Sequence, residues 1–211
     1  MNKIKIILKY ITPPIIIVLA RMFFSSPKSR LFDGRDSRLF IDNAYKAKVY
    51  GEYGIGYSTL SIRESSNSII VAAETNKEYL LNWKTKIALR ENDNLLHINI
   101  GEIEGLGYPR NYSMKDTFIN YFESIWKLND KPDFVLIDGR FRVACFLTSL
   151  LLSDPGTKIL FDDYQREYYH VIEEIIEPID KTETQALFVR PKQLDADQII
   201  TLRNSFSMVM L

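Results

Sequence analysis

Acidic side chains recur at the ends of short apolar runs, and these are the places where the chain can build chemistry. Glu52 opens the stretch Glu52-Tyr53-Gly54-Ile55-Gly56-Tyr57-Ser58-Thr59. Two glycines so spaced let a backbone turn tightly and approach a ligand closely. A helix starting after them would offer free amide groups. Glu74 follows Gly54 by 20 residues. That is the separation at which nucleotide-binding sheets place the carboxylate that grips a ribose hydroxyl pair. Asp138 closes the run DFVLI, and the pair Asp162-Asp163 closes TKILF. Three carboxylates at neighbouring strand tips are costly unless a cation or donor compensates them. Two compensations stay open: Arg140 and Arg142 from within the chain, or a hard cation such as Mg²⁺ held by Asp138, Asp162 and Asp163.

Asn99, in Asn99-Ile100-Gly101, could meet an adenine edge or make a plain turn. Of the two histidines, His97 lies inside an apolar run and reads as a packed or hydrogen-bonded side chain. His170 follows the Asp162-Asp163 tip. Imidazole side chains can exchange protons in neutral water, so it is a candidate general base at the same mouth.

The elements that must position these groups alternate. Strand-like runs fall at 48–53, 68–73, 95–100, 133–137, 157–161 and 184–189, the last with a partner just before it. Helical spacing falls at 57–63, 77–88, 117–128, 143–152, 168–176 and 195–203. Such alternation implies an α/β, Rossmann-like fold. The expectation is a seven-stranded, mostly parallel sheet with helices on both faces and an antiparallel C-terminal strand. Sheets of this kind bind ligands at the carboxyl ends of their strands, near the switch in strand order.

The bulk properties narrow the class. The 211 residues suffice for one sizeable core, and 46 % are hydrophobic. Lys+Arg and Asp+Glu both number 27, so no basic excess exists to attract a nucleic-acid backbone. A lone Cys145 makes no internal disulfide, which suits a reducing, cytoplasmic setting. Residues 14–24 read as an apolar N-terminal helix opened by Pro13-Pro14. The run is short for a span, which needs roughly 20 residues, and Arg21 interrupts it. Packing on the domain, a homodimer contact or an in-plane membrane contact are its readings. The polar stretch 25–38 reads as a linker, giving an N-terminal part over 1–38 and a main domain over 39–211.

Together these residues resemble the class I S-adenosylmethionine-dependent methyltransferases over roughly residues 45–190. Glu52, Gly54 and Gly56 look like that superfamily's first motif, with Ser58 in the place of its usual third glycine. Glu74 matches its ribose-binding acid. A closer resemblance is to a bacterial methyltransferase-like group tied to surface-polysaccharide genes. It is carried by GEYGIGYSTL (51–60), DFVLIDGRFRVACFL (133–147), GTKILFDDY (156–164), YYHVIEE (168–174), QALFV (185–189) and the early ITPP. The metal-dependent sugar O-methyltransferases are similar at the same tips. That likeness implies Mg²⁺ on Asp138, Asp162 and Asp163. The family's base, a second Asp in an I-D-G-D pattern, is Arg140 here.

The resemblance therefore implies S-adenosylmethionine held by Glu52, Gly54, Gly56, Ser58, Glu74 and Asn99. Asp138, Asp163 and His170 would serve catalysis. Arg140 and Arg142 would grip an anionic group on a small-molecule or glycan acceptor. A non-catalytic partner protein of the same fold stays open because of Arg140. A nicotinamide oxidoreductase is less suited, since Thr59 stands where the dinucleotide motif needs Gly or Ala.

Overall fold

The structure, a computed structural model, describes residues 30–210. The helix expected over 14–24, with its dimer and membrane roles, lies outside the described residues. Among them, no helix is long and apolar enough to cross a membrane.

The main strands are β1 (Val49–Tyr53), β2 (Ile69–Glu74), β3 (Asn94–His97), β6 (Phe134–Ile137), β7 (Lys158–Asp162) and β9 (Gln185–Val189), with the two-residue β8 (Asp180–Lys181) at the edge. They form one sheet in the order β3-β2-β1-β6-β7-β9-β8. The pairs from β3 to β7 are parallel, and β9 runs antiparallel to both β7 and β8. A second, two-stranded sheet joins β4 (Ile103–Glu104) to β5 (Tyr108–Pro109). The chain winds outward from β1 to β3 and then crosses back to β6. The strand order therefore reverses between β1 and β6, where a crevice opens in folds of this class.

β6 is buried along its whole length and β7 along all but its first residue. That is why both read as largely apolar runs, as strands covered on both faces do. The pleat sorts their side chains into two cores. Tyr53, Val71, Ile137 and Phe161 pack on one face. Tyr50, Ala72, Leu136 and Leu160 pack on the other. The same alternation has a consequence for function. Glu52, Glu74 and Asp162, with Asp138 continuing β6, all fall on the second face, at the carboxyl ends of four neighbouring strands.

The helices are α1 (Arg38–Ala44), α2 (Tyr57–Ser65), α3 (Lys77–Lys84), α4 (Ile119–Glu123), α5 (Arg142–Leu152) and α6 (Ala196–Ser205). Several expectations change here. The helix expected over 117–128 is a short α4 flanked by 3₁₀ turns. Glu167–Glu174 is 3₁₀ rather than α. The third strand stops at His97. The β4–β5 hairpin was not foreseen. Residues 31–38 are more than a spacer: Leu31 and Phe32 are buried in the second core with Phe40 and Tyr50.

Candidate functional site

The loop after β1 turns at Gly54, whose φ of +87° is in the left-handed region that favours glycine. A Cβ on Gly54 would lie 2.8 Å from the Cα of Gly139. A Cβ on Gly139 would fall within 2.9 Å of the Gly54 nitrogen. The β1 and β6 loops thus touch backbone to backbone at the reversal point. Gly139 was missed at the sequence level, although the Asp138-Gly139 pair at a strand end was the available signal.

Glu52 is fully buried and does not line the cavity. It accepts hydrogen bonds from the Ser58 hydroxyl and, at 2.5 Å, from the Thr59 hydroxyl. Thr59 Oγ1 also accepts from the Gly56 amide at 3.0 Å. The carboxyl therefore braces the glycine loop from beneath, and its expected place in cofactor binding becomes a positioning one. Burial pushes it up to about 8 against the pull of those hydroxyls.

The cavity has a volume of about 370 Å³, within the roughly 300–1,000 Å³ range of small-molecule sites. Its walls include Gly54, Gly56, Ser58, Glu74, Asp138 and Arg140 from the strand ends. Glu74 Oε1 accepts from the amides of Thr75 at 2.7 Å and Asn76 at 2.8 Å. Burial raises this carboxyl despite those bonds. Tyr57 and Tyr79, whose rings pack on Trp83, line the same side. Thr75 donates to the Gly107 carbonyl at 3.2 Å and ties the β4–β5 hairpin to this wall. Arg140 lies 4.3 Å over the Tyr108 ring.

The acids at β6 and β7 do come together: oxygens of Asp138, Asp162 and Asp163 lie within 4.8 Å of one another. Guanidinium groups compensate them. Arg142 donates to Asp138 at 3.0 Å and pairs with Asp163 at 3.2 Å. It also donates to the carbonyls of Gly139 and Asp162. Arg35 donates to Asp163 at 2.7 Å and to Asp162 at 3.1 Å. Arg166 pairs with Asp163 at 2.8 Å, and Gln185 donates to Asp162 at 2.9 Å. Burial, and then the Asp162 carboxylate, pushes Asp138 up to about 7. Burial also raises Asp162. Burial opposes ionisation of Asp163 too, but Arg142, Arg35 and Arg166 outweigh it and hold that carboxyl low.

The Mg²⁺ expected on these acids does not fit. Both oxygens of Asp162 and of Asp163, and Oδ1 of Asp138, already accept from protein donors. A hard cation needs those oxygens for itself.

Three further expectations are corrected. Arg142 is buried and spends its donors inward, so it does not grip a ligand in the cavity. His170 is exposed and absent from the cavity wall. Its ring lies tilted against that of Tyr164, and its Nε2 pairs with the Tyr164 carbonyl at 2.9 Å. A carbonyl only accepts, so Nε2 carries the proton there and is no base. Asn99 is exposed and caps its own turn by accepting from the Gly101 amide. Arg35 and Asp33, from the stretch read as a linker, line the cavity instead.

No family model and no curated protein matches the chain. Solved structures do. A methyltransferase-like protein from Silicibacter pomeroyi DSS-3 aligns over 81 % of this chain and 93 % of its own, at 26 % identity and a TM-score of 0.70. Cofactor-bound Rv0187 from MTB aligns over 86 % and 98 %, at 14 % identity and 0.52. The N-methyltransferase NodS from Bradyrhizobium japonicum WM9, in complex with S-adenosylhomocysteine, aligns over 82 % and 97 %, at 10 % identity and 0.50. The fold is therefore the one that S-adenosylmethionine-dependent methyltransferases use.

Proposed function

We propose that this chain is an S-adenosylmethionine-dependent methyltransferase acting on an oxygen of a small anionic acceptor, a sugar or glycan of the surface-polysaccharide kind. One observation carries the reading: the Gly54 turn, Glu74 and Asp138 surround one cavity at the carboxyl ends of adjacent strands. The sequence resemblance supports the acceptor class.

The residues present suit the cofactor. Glu74, fixed by two amides, is placed to accept from paired ribose hydroxyls. The Gly56 backbone leaves room for close approach, and the start of α2 directs amides toward an anionic group. Tyr57 and Tyr79 offer apolar surface to a purine. When bound, S-adenosylmethionine supplies a sulfonium methyl group for in-line displacement.

The chain must then orient the acceptor hydroxyl and remove its proton. Asp138 is the group for that task. It lines the cavity, and its Oδ2 accepts from no donor among the described residues. Arg142 fixes its Oδ1. Arg140, which pairs with no carboxylate among the described residues, grips the acceptor's anionic group. A cofactor-binding protein without turnover is the second reading, favoured by the hold of Arg142 on Asp138.

Calorimetric titration with S-adenosylmethionine and S-adenosylhomocysteine tests the proposal. Micromolar binding that is lost in Glu74→Ala is expected. Absence of binding to the folded wild-type protein would overturn it. Binding with no methyl transfer to any uronic acid or sugar phosphate would favour the second reading.

A further inference from the structure

Of the three arginines at the acid cluster, Arg35 comes from farthest away in the chain. It lies before α1, more than 120 residues from the acids it meets. The chain bends sharply to deliver it. Phe32 (φ +48°), Asp33 (φ +56°) and Gly34 (φ +80°) are three successive left-handed residues, two of them not glycine. Such residues cost energy and persist where the surroundings hold them. Here the turn is closed by Arg35 itself, whose Nε donates to the Phe32 carbonyl at 2.9 Å and whose amide does so at 3.0 Å. With Nε fixed, the two ends of the guanidinium fork go to different acids: Nη1 to Asp163 and Nη2 to Asp162.

A divalent cation joining two carboxylates would make the same bridge. The charges also close without one. Three carboxylates (Asp138, Asp162, Asp163) face three guanidinium groups (Arg35, Arg142, Arg166). Remove Arg35, and the acids lose one compensating charge, while Asp162 Oδ2 and Asp163 Oδ1 lose that donor.

We propose that Arg35 is a built-in cation: it bridges Asp162 and Asp163, closes the acid cluster to divalent metal ions, and holds the acids in place beside Asp138 as a positioning residue. The metal-binding part stands whether or not the chain transfers methyl groups. Only the prediction that catalysis ignores chelators rests on the methyltransferase reading.

The test is a titration of the full chain with Mn²⁺, read from the electron paramagnetic resonance of the free ion and repeated with Mg²⁺ by calorimetry. The wild-type protein is expected to leave Mn²⁺ free. Arg35→Gln should bind one equivalent at least about ten-fold more tightly, because the released oxygens suit a hard cation. Adding Asp163→Asn to that variant should abolish the binding. Arg35→Lys, which keeps the charge, should stay closed. Near-ultraviolet circular dichroism reports that each variant is folded.

Wild-type binding of Mn²⁺ that Asp162→Asn removes would overturn the proposal, even if Arg35→Gln failed to fold. A folded Arg35→Gln that still excludes Mn²⁺ would overturn it too, as would an Arg35→Lys that binds as well as Arg35→Gln. Turnover unaffected by chelators would extend the same conclusion to catalysis.

Discussion

The guanidinium of Arg140 lies 4.3 Å from the centroid of the Tyr108 ring, and this contact joins the β6 loop to the β4–β5 hairpin across the mouth of the cavity. Ring and cation attract, by about 0.5–1 kcal/mol at an exposed site. That is enough to orient Arg140 and too little to neutralise it. Replacing Arg140 with Ala should therefore weaken an anionic acceptor by about 10- to 100-fold, the value of one or two charge-assisted hydrogen bonds. Binding of S-adenosylhomocysteine should stay close to wild type. Calorimetry with both ligands separates the two effects. Equal loss of both would place Arg140 in the cofactor site instead.

The strand tips were legible in the sequence, and Arg35 was not. Apolar runs such as DFVLI and TKILF have one reading once the sheet is parallel, and the acid ending each run is then set by the pleat. Arg35 sits in a polar, charged stretch whose composition suits a linker. Only the left-handed turn at Phe32 and Asp33 aims it inward, and no periodicity reports such a turn. His170 failed for a related reason. A helix over 168–176 could have carried it to the mouth, but the 3₁₀ segment and the Tyr164 contact hold it at the surface. Asn99 failed because β3 ends at His97, so its side chain turns back on Gly101.

Gly139 gives a second expectation. A methyl group there would collide with the Tyr121 hydroxyl and lie 2.8 Å from the Tyr53 carbonyl carbon. The tyrosine could shift, but the β1 backbone could not. Gly139→Ala should cost about 1–3 kcal/mol of stability, as overpacking does, and should displace the Gly54 turn. Urea denaturation gives the first quantity, and S-adenosylhomocysteine titration the second. Wild-type values in both would show that the two loops have room to part.

Glu52 links pH to stability. Its carboxyl is raised from 4.5 to about 8 in the folded chain, chiefly by burial. Well below pH 4.5 the folded and unfolded forms are both protonated, and its contribution is fully present. As pH rises, the unfolded chain releases this proton first, so stability is lost progressively until about pH 8, where the folded form ionises too. Glu52→Gln cannot ionise and escapes that loss. Its Tm relative to wild type should climb between about pH 5 and about pH 8 and level off beyond. A Tm difference that stays flat across this window would mean that Glu52 is ionised in the folded protein at all these pH values.

As the base, Asp138 sets the pH dependence of methyl transfer. Asp138 must be deprotonated to accept a proton, and its carboxyl stands at about 7. Methyl transfer to a uronic acid acceptor should therefore fall as pH drops through about 7 and hold a plateau above it. Asp138→Asn should lower turnover by about 10²- to 10⁴-fold, the usual span for losing a positioned base. Binding of S-adenosylhomocysteine should change little, since Glu74 and the glycine loop remain. His170→Ala should keep full activity, because the imidazole is held outside the cavity by the Tyr164 carbonyl. Release of S-adenosylhomocysteine measures all three proteins. If His170→Ala lost the acidic limb while Asp138→Asn kept it, the proton would be leaving by another route. The Arg142 contact would then be the whole role of Asp138.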